Sequence, residues 1–163
     1  MKQFRFVIIT LAICAAALYF FDRDMFLSQL EHNRIYDAKT QTITLTHNSV
    51  TPKDYPLLGS LELQGAVLYG KDLSTDVLEH LPPDLKFLSL IDCSIDSKTI
   101  NRLSRYSELE FLRLNSSTMT IDIFADFPHF QQLKFLRIES PAISKADCNF
   151  QEKFPKDCEF TTY

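Results

Sequence analysis

The chain has 163 residues, with 17 Lys and Arg against 21 Asp and Glu, for a formal net charge of −4. An acidic chain does not read as a nucleic-acid binder, whose affinity rests on neutralising phosphates. The length suffices for one domain with a real core.

The chain opens with Lys2 and Arg5, followed by the apolar segment Phe6–Phe21, sixteen residues without charge, Pro or Gly, closed by Asp22-Arg23-Asp24. At about 1.5 Å per helical residue these span about 24 Å, and flanking Phe4 and Met25–Leu27 extend the run toward the ~30 Å of a bilayer core. Basic residues before the segment and net acidity after it predict a single pass with the N-terminus inside. Three readings of residues 1–21 stand open. The first is an uncleaved signal anchor, favoured by the unbroken Tyr19-Phe20-Phe21. The second is a signal peptide cleaved near Ala17, because Ala15-Ala16-Ala17 supplies the small residues required. The third is a lipoprotein cleaved before Cys14, with bulky Ile13 where a small residue belongs. All three place the remainder outside the cytoplasm: in the periplasm at the inner membrane of a bacterium, or secreted or periplasmic after cleavage. From Asp22 onward there are 15 basic and 21 acidic residues, a charge of −6.

Residues 22–39 carry Met25, Phe26, Leu27, Leu30, Ile35 and Tyr36 in a partly helical pattern. This stretch is expected to cover the N-terminal edge of a sheet, since an open sheet edge invites aggregation. A juxtamembrane stalk is the alternative.

Between residues 40 and 146 a motif recurs. Leu85-Lys86-Phe87-Leu88-Ser89-Leu90, Leu109-Glu110-Phe111-Leu112-Arg113-Leu114 and Leu133-Lys134-Phe135-Leu136-Arg137-Ile138 begin 24 residues apart. Each is followed five positions on by an apolar residue: Ile95, Met119, Ile143. Between the hexapeptides, Ile100, Leu103 and Tyr106 recur as Phe124, Phe127 and Phe130, a spacing that puts three side chains on one face of a short helical turn. Leu78 and Leu81 precede Pro82-Pro83, which end a similar turn. Two weaker strings lie upstream, Ile43, Leu45, Asn48 and Val50, then Leu58, Leu61, Leu63 and Leu68, at irregular intervals of 18 and 27 residues.

This pattern resembles the leucine-rich repeat, a short strand followed by a helix or 3₁₀ segment. The resemblance implies an α/β solenoid: a curved parallel sheet of about five short strands, with short helices or 3₁₀ turns on its convex side. Cys93 stands at the Asn/Cys position of the consensus. Ser117, Pro141 and Ala66 stand there in other units, which predicts loops lacking that side-chain hydrogen bond.

Residues 147–163 are read as a C-terminal cap. Cys148 and Cys158 are expected to form a disulfide that seals the last coil, with two reduced thiols as the alternative. Closing so short a loop stabilises by about 2–3 kcal/mol in the chain-entropy picture.

No Gly-rich phosphate loop, nucleophile elbow or dinucleotide fingerprint occurs, and His32, His47, His80 and His129 are scattered. The chain reads as a non-enzyme without cofactor or metal, monomeric, with a protein partner. Period-2 alternation turns the residues between the leucines outward on the concave face. Across units these are Thr42, Ser60, Phe87, Phe111, Phe135; then Thr44, Glu62, Ser89, Arg113, Arg137; then Thr46, Gln64, Ile91, Asn115, Glu139. Aromatic residues and Arg are enriched in binding hot spots. Phe87, Phe111, Phe135, Arg113, Arg137, Ser89, Asn115 and Glu139 are therefore the candidate partner-binding residues, with strand packing alone as the competing explanation of the phenylalanines. A periplasmic inhibitor or immunity-type protein against a toxin is one version of the partner-binding reading, and an envelope adaptor another. A carbohydrate- or lipid-binding envelope protein with the phenylalanines as platform is the alternative class, weakened by the absence of Trp.

Overall fold

The computed structural model describes residues 23–30, 33, 35–144 and 159–162. The apolar segment 6–21 with Cys14, and the expected Cys148–Cys158 disulfide, lie outside the described residues. Among the described residues no helix is long and apolar enough to cross a membrane.

The molecule is a mixed α/β structure built on one sheet. Its strands are β1 (Tyr36–Asp37), β2 (Thr42–Thr46), β3 (Gly65–Tyr69), β4 (Phe87–Ile91), β5 (Phe111–Asn115), β6 (Phe135–Glu139) and β7 (Glu159–Thr162). They lie side by side in chain order. β1 pairs antiparallel with β2, and the six strands β2 to β7 are all parallel. Parallel neighbours require a crossover. Four crossovers carry short helical segments: Tyr55–Leu58 and Ser97–Leu103 are α-helical, Thr75–Glu79 and Ile121–Asp126 are 3₁₀.

Alternation dictates which face is buried. Ile43, Ala66, Leu88, Leu112 and Leu136 stand in one cross-strand column, and Leu45, Leu68, Leu90, Leu114 and Ile138 in another. All ten are inaccessible to solvent. Burying each leucine or isoleucine among them contributes about 1.5–3 kcal/mol. The helical triplets close the core from the other side: Ile100, Leu103, Tyr106, Phe124, Phe127 and Phe130 are all buried. Tyr106 keeps its polar end satisfied by donating its hydroxyl to the Leu78 carbonyl at 2.5 Å. Phe127 bridges its two partners, stacked on Phe124 at 5.0 Å and edge-on to Phe130 at 5.8 Å. At the N-terminal end, residues 23–30 are helical and bury Phe26 and Leu30, while β1 covers the outer edge of β2.

Helix Ser97–Leu103 starts where Asp96 caps it, accepting from the Thr99 amide and the Thr99 hydroxyl, both at 2.7 Å. Those two hydrogen bonds hold the Asp96 carboxyl below its usual range. Arg102 on the same helix reaches back across the helical side of the sheet to Thr75, Asp76 and Glu79, tying one crossover to the next.

Two expectations are corrected. The upstream string was phased wrongly: Ser60, Glu62 and Gln64 are not strand positions, and β3 begins at Gly65. The strand starts are therefore 42, 65, 87, 111, 135 and 159, at intervals of 22–24 residues rather than 18 and 27. Leu58 at the end of the helix Tyr55–Leu58 and Leu61 just after it close the core, and Leu63 takes the place that Leu85 holds before β4. The loops after β5 and β6 also do not lack a side-chain hydrogen bond. Ser116 and Ser140, one residue before the expected position, are buried and donate to the carbonyls of Cys93 at 2.7 Å and Met119 at 2.8 Å. Cys93 itself donates to Leu68 O at 3.4 Å. The loops after β5 and β6 are thus each stitched to the preceding loop by a buried serine, and the loop after β4 to strand β3 by Cys93, which satisfies carbonyls that water cannot reach.

Candidate binding face

The face of the sheet opposite the leucines carries three columns. The first is Thr42, Gly65, Phe87, Phe111 and Phe135; the second Thr44, Val67, Ser89, Arg113 and Arg137; the third Thr46, Tyr69, Ile91, Asn115 and Glu139.

In the first column the strand spacing brings the phenyl rings into contact. Phe87 and Phe111 stack with centroids 4.8 Å apart and planes inclined by 21°, and Phe111 and Phe135 stack at 4.8 Å and 7°. Gly65 ends the ladder. A Cβ at that position would lie 3.1 Å from Thr42 Oγ1 and 3.2 Å from the Phe87 ring. Hydrogen alone fits there without displacing its neighbours.

Beside the ladder sits a charge cluster centred on Glu139. Its Oε2 accepts from Arg113 Nε at 2.9 Å, Arg113 Nη2 at 2.7 Å and Asn115 Nδ2 at 2.7 Å. Its Oε1 pairs with Arg137 Nη2 at 2.6 Å. The Glu139 side chain is only 14% exposed, whereas Arg113 and Arg137 are each about one-third exposed. Burial pushes the Glu139 carboxyl upward, but the hydrogen bonds from Asn115 and Arg113 and the guanidinium charges outweigh it and hold the group below its ordinary value. A carboxylate accepting four donors has little capacity left for a ligand. Glu139 therefore orients the two arginines rather than presenting itself.

Of the eight candidate residues, the sheet brings seven to one accessible surface. The exception is Ser89, 2% exposed although it alternates outward. Its neighbours on this face, Val67, Phe87, Ile91 and Arg113, are all larger, and its hydroxyl finds no hydrogen-bond partner among the described residues. Ser89 offers no contact surface.

Three residues of the face escaped the sequence reading or were not singled out. Val67 and Tyr69 were hidden by the wrong phase of β3, and Ile91 stands between Tyr69 and Asn115. Tyr69 is 48% exposed, and the N-terminal half of the face, with Thr42, Thr44, Thr46 and Val67, is uncharged where the C-terminal half is charged. The signal for β3 was present in Leu63-x-Gly65-Ala66-x-Leu68, the hexapeptide with small residues in its centre. Ser60, Glu62 and Gln64, misassigned to the face, instead border a hollow of about 730 Å³ at the entry end of the strands, shared with Gln41, Pro82 and Asp84.

Elsewhere, Cys93 is 1% exposed and burial pushes its thiol up to about 11, a state in which it is not a nucleophile. Among the described residues no group of three His, Cys, Asp or Glu is placed to hold a metal ion. Compared with known proteins, the chain matches no family model, no curated protein and no solved structure.

Proposed function

We propose that the chain is a leucine-rich-repeat solenoid, held outside the cytoplasm by its N-terminal apolar segment, whose open sheet face binds a protein partner without chemistry of its own. The spacing of the strand starts supports the repeat reading, because each unit then buries its leucines only by stacking on its neighbours. The observation that carries the binding reading is the three-ring ladder beside the pinned arginines. Two guanidiniums held by one carboxylate and three rings held by each other lose little rotamer freedom on association, and such preorganised Arg and aromatic side chains are the usual anchors of interfaces. Tyr69, Val67 and Ile91 extend the same surface with apolar area.

The test uses the full chain expressed in its own cells, with a photo-crosslinking amino acid at position 111 and, as a control, at exposed position 98 on the convex side. A protein adduct at 111 and none at 98 is the expected result. The crosslinked protein should then bind a folded Phe111→Ala/Arg113→Ala variant at least about tenfold more weakly, as loss of two anchors implies. Unchanged affinity, or adducts only at position 98, would overturn the proposal.

A further inference from the structure

The ladder and the arginines together define what kind of segment fits the face. Each ring of a stacked pair spends its electron-rich surface on its neighbour, and Phe111, in the middle, spends both. What the ladder turns outward is ring edge, which carries partial positive charge. In the adjoining column, Arg113 gives Nε and Nη2 to Glu139, while its Nη1 amino group makes no hydrogen bond among the described residues. Over the fifteen outward positions of β2 to β6 the charged residues are Arg113, Arg137 and Glu139, a local excess of one positive charge on a chain whose net charge is −4. Exposed Glu159 lies opposite Phe135 in β7, so negative charge borders the far end of the ladder and the attractive part is its middle.

From this charge complementarity, and resting on the reading of the face as a protein-binding surface, we infer that Phe111 and Arg113 receive an extended acidic–aromatic segment of the partner. In it a carboxylate side chain takes the free amino edge of Arg113, and an aromatic or branched aliphatic side chain two residues away lies against the ring edges at Phe111. The spacing comes from the sheet: Phe111 and Arg113 are two residues apart on one strand, about 7 Å, the same distance that separates i and i+2 on one side of an extended peptide. A carboxylate is drawn to both the guanidinium and the ring edges, whereas a lysine is repelled by both. A sugar ring, which stacks on an open aromatic face, finds the faces of Phe111 already occupied.

The probe is a displayed random-peptide library selected on the full 163-residue chain. Synthetic versions of the winners are then measured by fluorescence anisotropy against wild type, Phe111→Ala, Arg113→Ala and Arg113→Lys. The winners are expected to carry Asp or Glu two positions from an aromatic or branched residue. Replacing that acid by its amide and replacing Arg113 by Ala should each weaken binding about tenfold, and both together no more than either alone, because one charge-assisted contact is lost in each case. Arg113→Lys, which keeps the charge, should fall between. Neutral or basic winners that need Phe111 but not Arg113 would overturn this inference and leave the protein-binding face intact. Winners indifferent to both residues, or no winners, would overturn both readings.

Discussion

Adjacent residues of one strand should have opposite sensitivities. In β5, Leu112 is fully buried between Leu88 and Leu136, while Phe111 is only partly buried between Phe87 and Phe135. Leu112→Ala removes a side chain from a site bounded by strands on both flanks and by the helical triplets behind, where collapse is restricted. It is expected to cost about 3–5 kcal/mol, the transfer term plus the cavity left behind. Phe111→Ala loses two ring contacts and part of a solvated surface, and should cost about 1–2 kcal/mol. With total stabilities of about 5–15 kcal/mol, the first change removes about a fifth or more of what holds the chain folded. Urea unfolding followed by far-ultraviolet circular dichroism reads both. At a slope of about 2 kcal/mol per molar, Leu112→Ala should lower the midpoint by about 1.5–2.5 M and Phe111→Ala by less than about 1 M. Should Leu112→Ala not fold at all while Phe111→Ala does, the ordering is the same and the assignment of faces stands. A Phe111→Ala midpoint at or below that of Leu112→Ala would refute the assignment of faces, and with it the whole arrangement of columns.

Gly65→Ala places a methyl 3.1–3.3 Å from Thr42 Oγ1 and Phe87, so it should destabilise by about 1 kcal/mol despite alanine's better backbone entropy. That cost should vanish in the Phe87→Ala background if the crowding is the cause, which a double-mutant cycle of urea midpoints checks. Because the Cys93 thiol is raised from 9.0 to about 11, its protonated form favours the folded state. Stability should therefore fall as pH rises between those values, and Cys93→Ala should flatten this part of the profile. Glu139 has the opposite sign: its lowered carboxyl pKa adds stability above its unfolded value of 4.5 that is lost as pH falls through the folded one. Glu139→Gln should weaken the acid dependence, leaving the share due to Asp96, whose carboxyl is likewise lowered. An unchanged acid limb would remove Glu139 from the account.

Much of this architecture is legible before any coordinates. The hexapeptides at 85, 109 and 133 announce strands β4 to β6 and their facing, because alternation of leucine with outward residues admits one buried face and one register. The triplets at 100–106 and 124–130 announce the material that closes the core behind them. Reading failed where two apolar strings competed. Leu58-Leu61-Leu63 and Leu63-Ala66-Leu68 share a residue, and nothing local says that Gly65 and Ala66 are strand positions, since both are poor strand formers. Stacking decides it: Gly65 is selected by the ring of Phe87 on the next strand, a neighbour 22 residues away. β7 was missed for the same reason, its start at Glu159 being fixed by the pairing with β6.

By itself the sequence determined which side chains go inside and which stretches alternate, because those depend on short-range periodicity and the cost of leaving leucine in water. Only the tertiary structure decided what the outward residues do to one another. Burial of Ser89 beneath the side chains around it, the capture of Arg113 by Glu139 of the next strand, and the substitution of Ser116 and Ser140 for the expected loop residues all depend on groups more than 20 residues away. Such contacts depend on how successive strands are laid against each other, and that alignment is set by the packing of the whole stack rather than by any one segment.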